Sequence, residues 1–294
     1  MTGDEVTAAL EAERPALRGL AYRMLGSLGD AEDAVQDAFV RWVRLSDDQR
    51  AAIDNPGAWM MRVTSRICLD MLGSARVRRE TYVGSWLPEP VPVHLDAARA
   101  ADPLEKVALD DSVSMALQIV LDTLTPAERV AFVLHDVFEM PFAQIAETVG
   151  RSVEATRQLA SSARRKVRAR TDHAAPRERH DAIAAAFAAA TGAGDFDALM
   201  TLLDPGVTLT SDGGGKVSAA RRPVRGAVKV ARFILGVLTQ RPHARADPIM
   251  TADGLGFVVS ENGVVDTVIV LGVRADRVTD VWLVRNPDKL TSWR

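Results

Sequence analysis

A chain of 294 residues with 47% hydrophobic and 26% charged side chains is long enough for two or three compact units with their own cores. Its 39 acidic and 36 basic side chains give a formal net charge of -3, which excludes a uniformly basic nucleic-acid coat but not a local basic patch. The single cysteine, Cys68, excludes an internal disulfide and a thiolate-rich metal site.

The amino terminus begins acidic and lacks the long apolar run of a secretory signal. No stretch of about 20 apolar residues follows that would span a bilayer. A reducing cytoplasm is the expected compartment.

Residues 5–80 read as helical throughout. In SLGDAEDAVQDAFVRWVR, Asp30 is expected to cap a helix, with Asp33 three places on completing a box-like arrangement. Ala34, Val35, Ala38, Phe39, Trp42 and Val43 recur at helical spacing as an apolar face. Glu32, Asp33, Gln36 and Asp37 lie away from it. Such an acidic face is either merely solvated or a dock for a large basic or mixed-charge partner. In NPGAWMMRVTSRICLDMLGSARVRRE, Asn55 and Pro56 start a helix on which Arg62 and Arg66 share a face. Arg76, Arg78 and Arg79 follow, and Asp70 is the one acid among them. Positive charge at this spacing can straddle a phosphate backbone, or simply solubilise a helix. Trp59 and Cys68 read as core.

The stretch TYVGSWLPEPVPVHLDAARAADP is expected to be an extended linker, because Pro88, Pro90 and Pro92 remove donors and disfavour helix. Its Tyr82, Trp86 and Leu87 are too apolar for a fully solvated connection, so Trp86 should be docked.

A second helical zone runs from about 104 to 171. Thr125, Pro126 and Glu128 form a capping box. MPFAQIAETVG gives a short helix ended by Gly150, and Ser152 caps VEATRQLASSARRKVRAR. Short helix, glycine turn and longer helix make a helix-turn-helix. Glu154, Ala155, Arg157, Gln158 and Ser161 are its candidates to face DNA. Residues 151–170 hold seven basic groups, including Arg164 and Arg165, against one acid, Glu154. The bland alternative is a helical pair with a basic surface.

Together these stretches resemble bacterial sigma factors of the extracytoplasmic-function class. GDAEDAVQDAFVRWVR is similar to their core-polymerase-binding helix, NPGAWMMRVTSRICLDMLGSARVRR to their minus-10 segment, and LTPAERVAFVLHDVFEMPFAQIAETVGRSVEATRQLASSARRKVR to their minus-35-reading domain. The resemblance covers about the first 170 residues. It implies polymerase docking by Asp30, Glu32, Asp33, Val35, Gln36, Phe39 and Trp42. It implies minus-10 binding by Asn55, Arg62, Arg66, Asp70 and Arg76, and minus-35 binding by Arg157, Gln158, Ser161, Arg164 and Arg165.

About 120 further residues depart from ordinary members of that class. They read as two helices and a strand, a third helix over VRGAVKVARFILGVLTQR, and strands in GLGFVVSENG, VVDTVIVLGVRADRV and TDVWLVRNPDKL, with turns at Asn-Gly and Arg-Ala-Asp. This order resembles the SnoaL-like cone fold. WLPEP (Trp86, Leu87, Pro88, Glu89, Pro90), DGGGK (Asp212, Gly213, Gly214, Gly215, Lys216) and NPDKL (Asn286, Pro287, Asp288, Lys289, Leu290) resemble the marks of the sigma subgroup with a fused SnoaL-like regulatory extension.

The resulting expectation is a multidomain chain. Two all-α sigma domains, 1–80 and 112–172, flank a linker over 81–111, and an α+β SnoaL-like cone over 178–294 follows. Lys216 is expected to pair with Asp212, Glu89 or an anion, and the Trp86 linker to lie near the glycine loop. Partners are core RNA polymerase, double-stranded promoter DNA, the melted minus-10 strand and a small ligand of unknown identity in the last domain. The free chain is expected to be a monomer with no membrane partner. No catalytic residue, metal or cofactor is expected. Asp212, Asp247, Asp253, Asp266 and Asp280 sit at turns or strand ends that favour solvent, and no tyrosine follows Tyr82. His135, His173, His180 and His243 lack ligand spacing. The competing readings are a ligand-responsive helix-turn-helix repressor that acts without polymerase, and a small-molecule enzyme with a DNA-binding fusion.

Overall fold

The computed structural model describes residues 10–80, 82–92, 114–171 and 174–293; for residues 74–80 and 171 it describes the backbone alone. The expected start of the second helical zone at 104, the domain start at 112, most of the 81–111 linker and His173 lie outside these residues. The chain divides into two compact units. Among the described residues the first is built from 10–80 and 117–170, and the second from 82–92, 114–116, 171 and 174–293.

In the first unit, α1 (Arg14–Leu25) ends at Gly26, whose φ of 72° suits the left-handed position that glycine takes without strain. α2 (Leu28–Val43) starts on Ser27, whose Oγ accepts from the Asp30 N–H at 3.3 Å. Asp30 is therefore inside the first turn and is not the cap; a carboxylate there favours the positive helix end. After the short α3 (Asp47–Ala51), α4 (Pro56–Glu80) begins as its sequence suggests, with Asn55 Oδ1 accepting from Ala58 N–H at 2.9 Å. Leu20, Met24, Ala34, Met60 and Cys68 are among the residues buried where these helices meet.

α5 (Met115–Asp122) leads to α6 (Pro126–Phe132), whose capping box closes through Thr125 and Glu128. A π-type turn over Val133–Val137, which the apolar periodicity does not announce, then precedes α7 (Phe142–Val149). Gly150 turns the chain at a φ of 67°, Ser152 Oγ accepts from Ala155 N–H, and α8 (Val153–Thr171) follows.

These helices form one body with the first four. At the end of α1 the Tyr22 carbonyl accepts from the Gly26 N–H at 2.7 Å, and the last turn takes further donors from the later helices. Gln118 donates to the Tyr22 carbonyl at 3.0 Å. Arg129, 2% exposed, donates to the Met24 carbonyl at 2.8 Å and pairs with Asp122 at 2.5 Å. On the periphery, Arg66 donates to the Thr148 carbonyl in the last turn of α7 at 2.8 Å, and Arg62 lies 3.6 Å from Glu147.

The second unit holds α9 (Arg177–Ala193), α10 (Phe196–Leu202), β1 (Leu203–Asp212), β2 (Val224–Arg225), α11 (Ala227–Thr239), β3 (Arg245–Thr251), β4 (Gly254–Glu261), β5 (Val264–Arg274) and β6 (Arg277–Val284). The strands make one sheet in the order β2-β1-β6-β5-β4-β3, with β1 and β6 parallel and the other neighbours antiparallel. Phe187, Leu199 and Val230 from the helices meet Leu209, Phe257, Leu271 and Val281 from the sheet in its core.

The expected SnoaL-like cone is corrected here: the sheet is open and does not curl shut. β2 has two residues and pairs with β1 alone, and β3 pairs with β4 alone. Pro248 in β3 has no N–H to offer a further strand. Neither β2 nor β3 was legible as a strand, because one is minimal and the other interrupts its period with Asp247 and Pro248. The Asn-Gly turn is as expected, with positive φ at Asn262 and Gly263, and Ala275 also takes a positive φ in the Arg-Ala-Asp turn.

Candidate polymerase, promoter and linker surfaces

Three surfaces carry the candidate residues. On α2, Asp33, Gln36 and Asp37 are exposed. Glu32 is half-buried and ion-paired with Arg14, whose guanidinium also lies 4.9 Å from the centre of the Phe39 ring. Asp30 and Phe39 are half-buried. Val35 and Trp42, 0% and 2% exposed, lie in the core; Trp42 meets Trp59 edge-on with centroids 5.3 Å apart. These two hold the helix in place and do not line its outer face.

On α4, Asn55 caps the helix, and Arg62 and Arg66 point along one face, as their spacing requires. Asp70 is exposed, 3.9 Å from Arg66. The Arg76 side chain lies outside the described residues. On α8, Arg157, Gln158, Ser161 and Arg165 are exposed, while Thr156, Ala160 and Ala163 on the opposite side are buried. Arg164 differs from its neighbours: it is half-buried and pairs with Asp136 at 2.5 Å.

Glu128 fixes the orientation of α8. Its carboxylate accepts from Ser162 Oγ and Lys166 Nζ, each at 2.8 Å, as well as from the Thr125 N–H. Burial alone would raise its pKa, but the Lys166, Thr125 and Ser162 donors outweigh burial and hold it at about 2. Lys166 is thereby occupied within the fold. His135 stacks on Phe142 with centroids 3.9 Å apart and is structural.

The third surface lies wholly in the second unit, where WLPEP, DGGGK and NPDKL meet. Asp212 is fully buried, which corrects its expected solvent exposure. Its carboxylate accepts from Tyr82 Oη at 2.6 Å, Leu87 N–H at 2.9 Å, Gly214 N–H at 3.0 Å and Lys289 Nζ at 2.7 Å. Lys289 also donates to the Leu87 carbonyl and lies 4.2 Å from the centre of the Trp86 ring. Burial first, and then Asp212, push the Tyr82 phenol up, so it stays a donor. Asn286 Nδ2 donates to Tyr82 Oη at 2.9 Å. Leu87, Pro88, Glu89 and Pro90 are buried, and Trp293 Nε1 donates to the Pro90 carbonyl at 2.9 Å.

The glycines of this site serve close approach. A side-chain carbon at Gly214, whose φ is 63°, would fall 2.5 Å from the Asn286 amide, and one at Gly213 would fall 2.5 Å from the Val217 carbonyl. At Gly215 it would fall 3.0 Å from Val83 of the linker. Lys216 pairs with Asp288 at 2.6 Å, in place of the expected Asp212, Glu89 or anion. Pro287 and Asp288 form a short turn capped by Asn286, and Leu290 is buried. Tyr82 was not singled out as a site residue by the sequence; its signal was an aromatic in a proline-rich connection.

The other carboxylates do not converge. Asp253, expected in solvent, accepts from the N–H groups of Met115 at 2.6 Å and Ala116 at 3.0 Å. Asp266 pairs with Arg241, and Asp247 is exposed. His180 is a satisfied core residue, hydrogen-bonded to the Leu271 carbonyl and Asp181. No group of three or more metal-ligating side chains occurs among the described residues, and no described helix is long and apolar enough to cross a membrane.

The model of sigma-70 region 2 matches residues 9–78, and that of sigma-70 region 4 matches residues 114–167. The chain is 42% identical to the ECF RNA polymerase sigma factor SigJ of Mycobacterium tuberculosis H37Rv, over 96% of this chain and 92% of SigJ. It is 36% identical to the probable ECF RNA polymerase sigma factor SigI of the same organism, over 99% of this chain and 97% of SigI. The crystal structure of M. tuberculosis SigJ superposes with a TM-score of 0.74 at 39% identity, covering 97% of this chain and 98% of that one. The chain belongs to the extracytoplasmic-function RNA polymerase sigma factors, non-catalytic subunits that bind core RNA polymerase for promoter-specific initiation.

Proposed function

We propose that this sigma factor belongs to the subgroup whose fused C-terminal domain regulates it, with a core-binding and minus-10 domain over 1–80, a linker over 81–111, a minus-35 domain over 112–172 and a regulatory domain over 178–294. The exposed face of α2, with Asp33 and Gln36 at its centre, meets a basic or mixed surface of polymerase, and Val35 and Trp42 support it from beneath. Asn55, Arg62, Arg66, Asp70 and Arg76 serve the minus-10 element, including its melted strand. Arg157, Gln158, Ser161 and Arg165 face the minus-35 duplex, where arginine and glutamine donors match purine edges. Arg164 adds to that charge from its pair with Asp136. The free chain acts as a cytoplasmic monomer. The regulatory step is the capture of the linker by Asp212, Lys289 and Asn286, and a small ligand of the C-terminal domain would act by shifting that capture.

The observation that carries the DNA assignment is the two-sided character of α8, with exposed arginine and glutamine opposite buried alanine and threonine. The test is run-off transcription with core polymerase alongside a direct affinity measurement. Arg157→Ala should lower minus-35-dependent transcription roughly 5- to 150-fold, the worth of one good base contact, and leave core affinity unchanged. Asp33→Arg should weaken core binding on every promoter. Equal losses for Arg157→Ala on promoters with and without a minus-35 element, or unchanged core affinity for Asp33→Arg, would overturn the respective assignment.

A further inference from the structure

Charge is distributed unevenly in the second unit. The 34 residues from Gly213 to Ala246 contain 8 of the chain's 36 basic side chains and none of its 39 acidic ones. Three of the eight have acidic partners: Lys216 with Asp288, Arg241 with Glu261 and Asp266, and Arg245 with Asp247. The other five, Arg221, Arg222, Arg225, Lys229 and Arg232, are exposed and have no carboxylate partner among the described residues. They are not buried among apolar groups, so packing does not account for them.

Their placement is continuous. Arg221 and Arg222 lie in the segment before β2, and Arg225 is on β2 itself, at the sheet edge opposite Thr208. Lys229 and Arg232 stand three residues apart on the first turns of α11 and so share a face. Helical rise separates Lys229 from Arg232 by about 4.5 Å. Arg221 and Arg222 lie in a bend just before the two-residue β2.

We infer that Arg221, Arg222, Arg225, Lys229 and Arg232 form a surface that binds the phosphate backbone of duplex DNA without regard to sequence. Four of the five are arginines, whose planar fork matches phosphate oxygens in pairs. The chain is acidic outside this segment, so the patch is a local feature and not a consequence of overall charge. It is separate from the minus-10 and minus-35 residues, and it gives the second unit its own hold on the polyanion that the first unit reads.

The test uses the full-length protein and a fluorescein-labelled 30-base-pair duplex lacking both promoter elements, with anisotropy titrations between 50 and 200 mM KCl. Each phosphate neutralised contributes about 0.9 to the slope of log affinity against log salt. Arg221→Ala/Arg222→Ala/Arg225→Ala should therefore flatten the slope by about 2.7, and Lys229→Gln/Arg232→Gln by about 1.8. Arg179→Ala, which removes an exposed arginine paired with Asp276 in the same unit, should change it little. Thermal melts check that each variant is folded; a variant that melts early is replaced by single glutamine substitutions, each of which should flatten the slope by about 0.9. Unchanged slopes for both patch variants overturn the inference. So does a loss of core-polymerase affinity with duplex binding intact, which would make the surface a dock for an acidic protein. Arg157→Ala/Arg165→Ala measured in parallel separates the two ideas: a flatter slope there with none in the patch variants sinks this inference and leaves the minus-35 assignment standing.

Discussion

Replacing Asp212 with asparagine keeps the shape of the linker site and removes one charge from its buried pair. Lys289, with a side chain 9% exposed, would keep the Leu87 carbonyl and the ring faces of Tyr82 and Trp86, at 5.3 and 4.2 Å, but no carboxylate at 2.7 Å. Removing one partner of a buried ion pair costs about 3–5 kcal/mol. Lys289→Met should cost less, about 2 kcal/mol, because Asp212 would keep three donors: Tyr82, Leu87 and Gly214. The double variant removes both charges of the pair, so it should be more stable than the sum of the singles implies, by about 2 kcal/mol. Calorimetric unfolding of the full chain reads this directly. At roughly 3 °C per kcal/mol for a unit of this size, Asp212→Asn should lower the C-terminal transition by about 10–15 °C. Limited proteolysis near Gly84 should accelerate in step with it. If the two single effects add to within about 0.5 kcal/mol, the charges do not sense each other and the pairing argument is wrong.

Glu128 makes the first unit sensitive to acid. Its folded pKa of about 2 lies below the ordinary value of about 4.3, so its stabilisation is complete above that ordinary value and fades as pH falls toward 2. Urea midpoints at pH 5, 3.5 and 2.5 should reveal about 2 kcal/mol lost through this group by pH 2.5 in the wild type and a flatter profile in Glu128→Gln; parallel profiles would contradict it. Gly214→Ala should destabilise the second unit by about 1–3 kcal/mol, because the new methyl collides with Asn286 and releases Tyr82. Gly150→Ala has a similar φ of 67° and nothing within 4 Å, so it should cost only about 1 kcal/mol, and equal melting shifts for the two would show that the collision is unimportant.

The helical half was legible because its signals are local. Thr125, Glu128, Gly150 and Ser152 act within one turn of their own positions, and the period of the apolar residues does the rest. Ser27 displaced Asp30 as the cap because the helix starts three residues earlier than expected, so the Asp30 N–H is itself a first-turn donor that Ser27 Oγ accepts. The three short motifs located the linker site, but their internal pairing was opaque. Both Lys216 and Lys289 could reach Asp212 on paper, and the choice depends on where β1 and β6 end side by side. The openness of the sheet was equally hidden, because closure depends on which strands lie at the two rims, a long-range property that turn residues do not encode. Val35 and Trp42 are buried as the apolar period implies, whereas Val43, read onto the same face, is exposed: a period names a face, and packing decides where that face ends.

The grip of α4 on α7 sets a geometric condition on initiation. Elements centred near positions -10 and -35 lie about 25 base pairs apart, roughly 85 Å along B-form DNA. A guanidinium that donates to the Thr148 carbonyl at 2.8 Å holds the two proposed readers side by side, far short of that span. Simultaneous occupancy of both sites therefore requires Arg62 and Arg66 to let go of the neighbouring helix and Arg129 to surrender the end of α1. In the proposed reading, polymerase binding would supply the energy for that rupture.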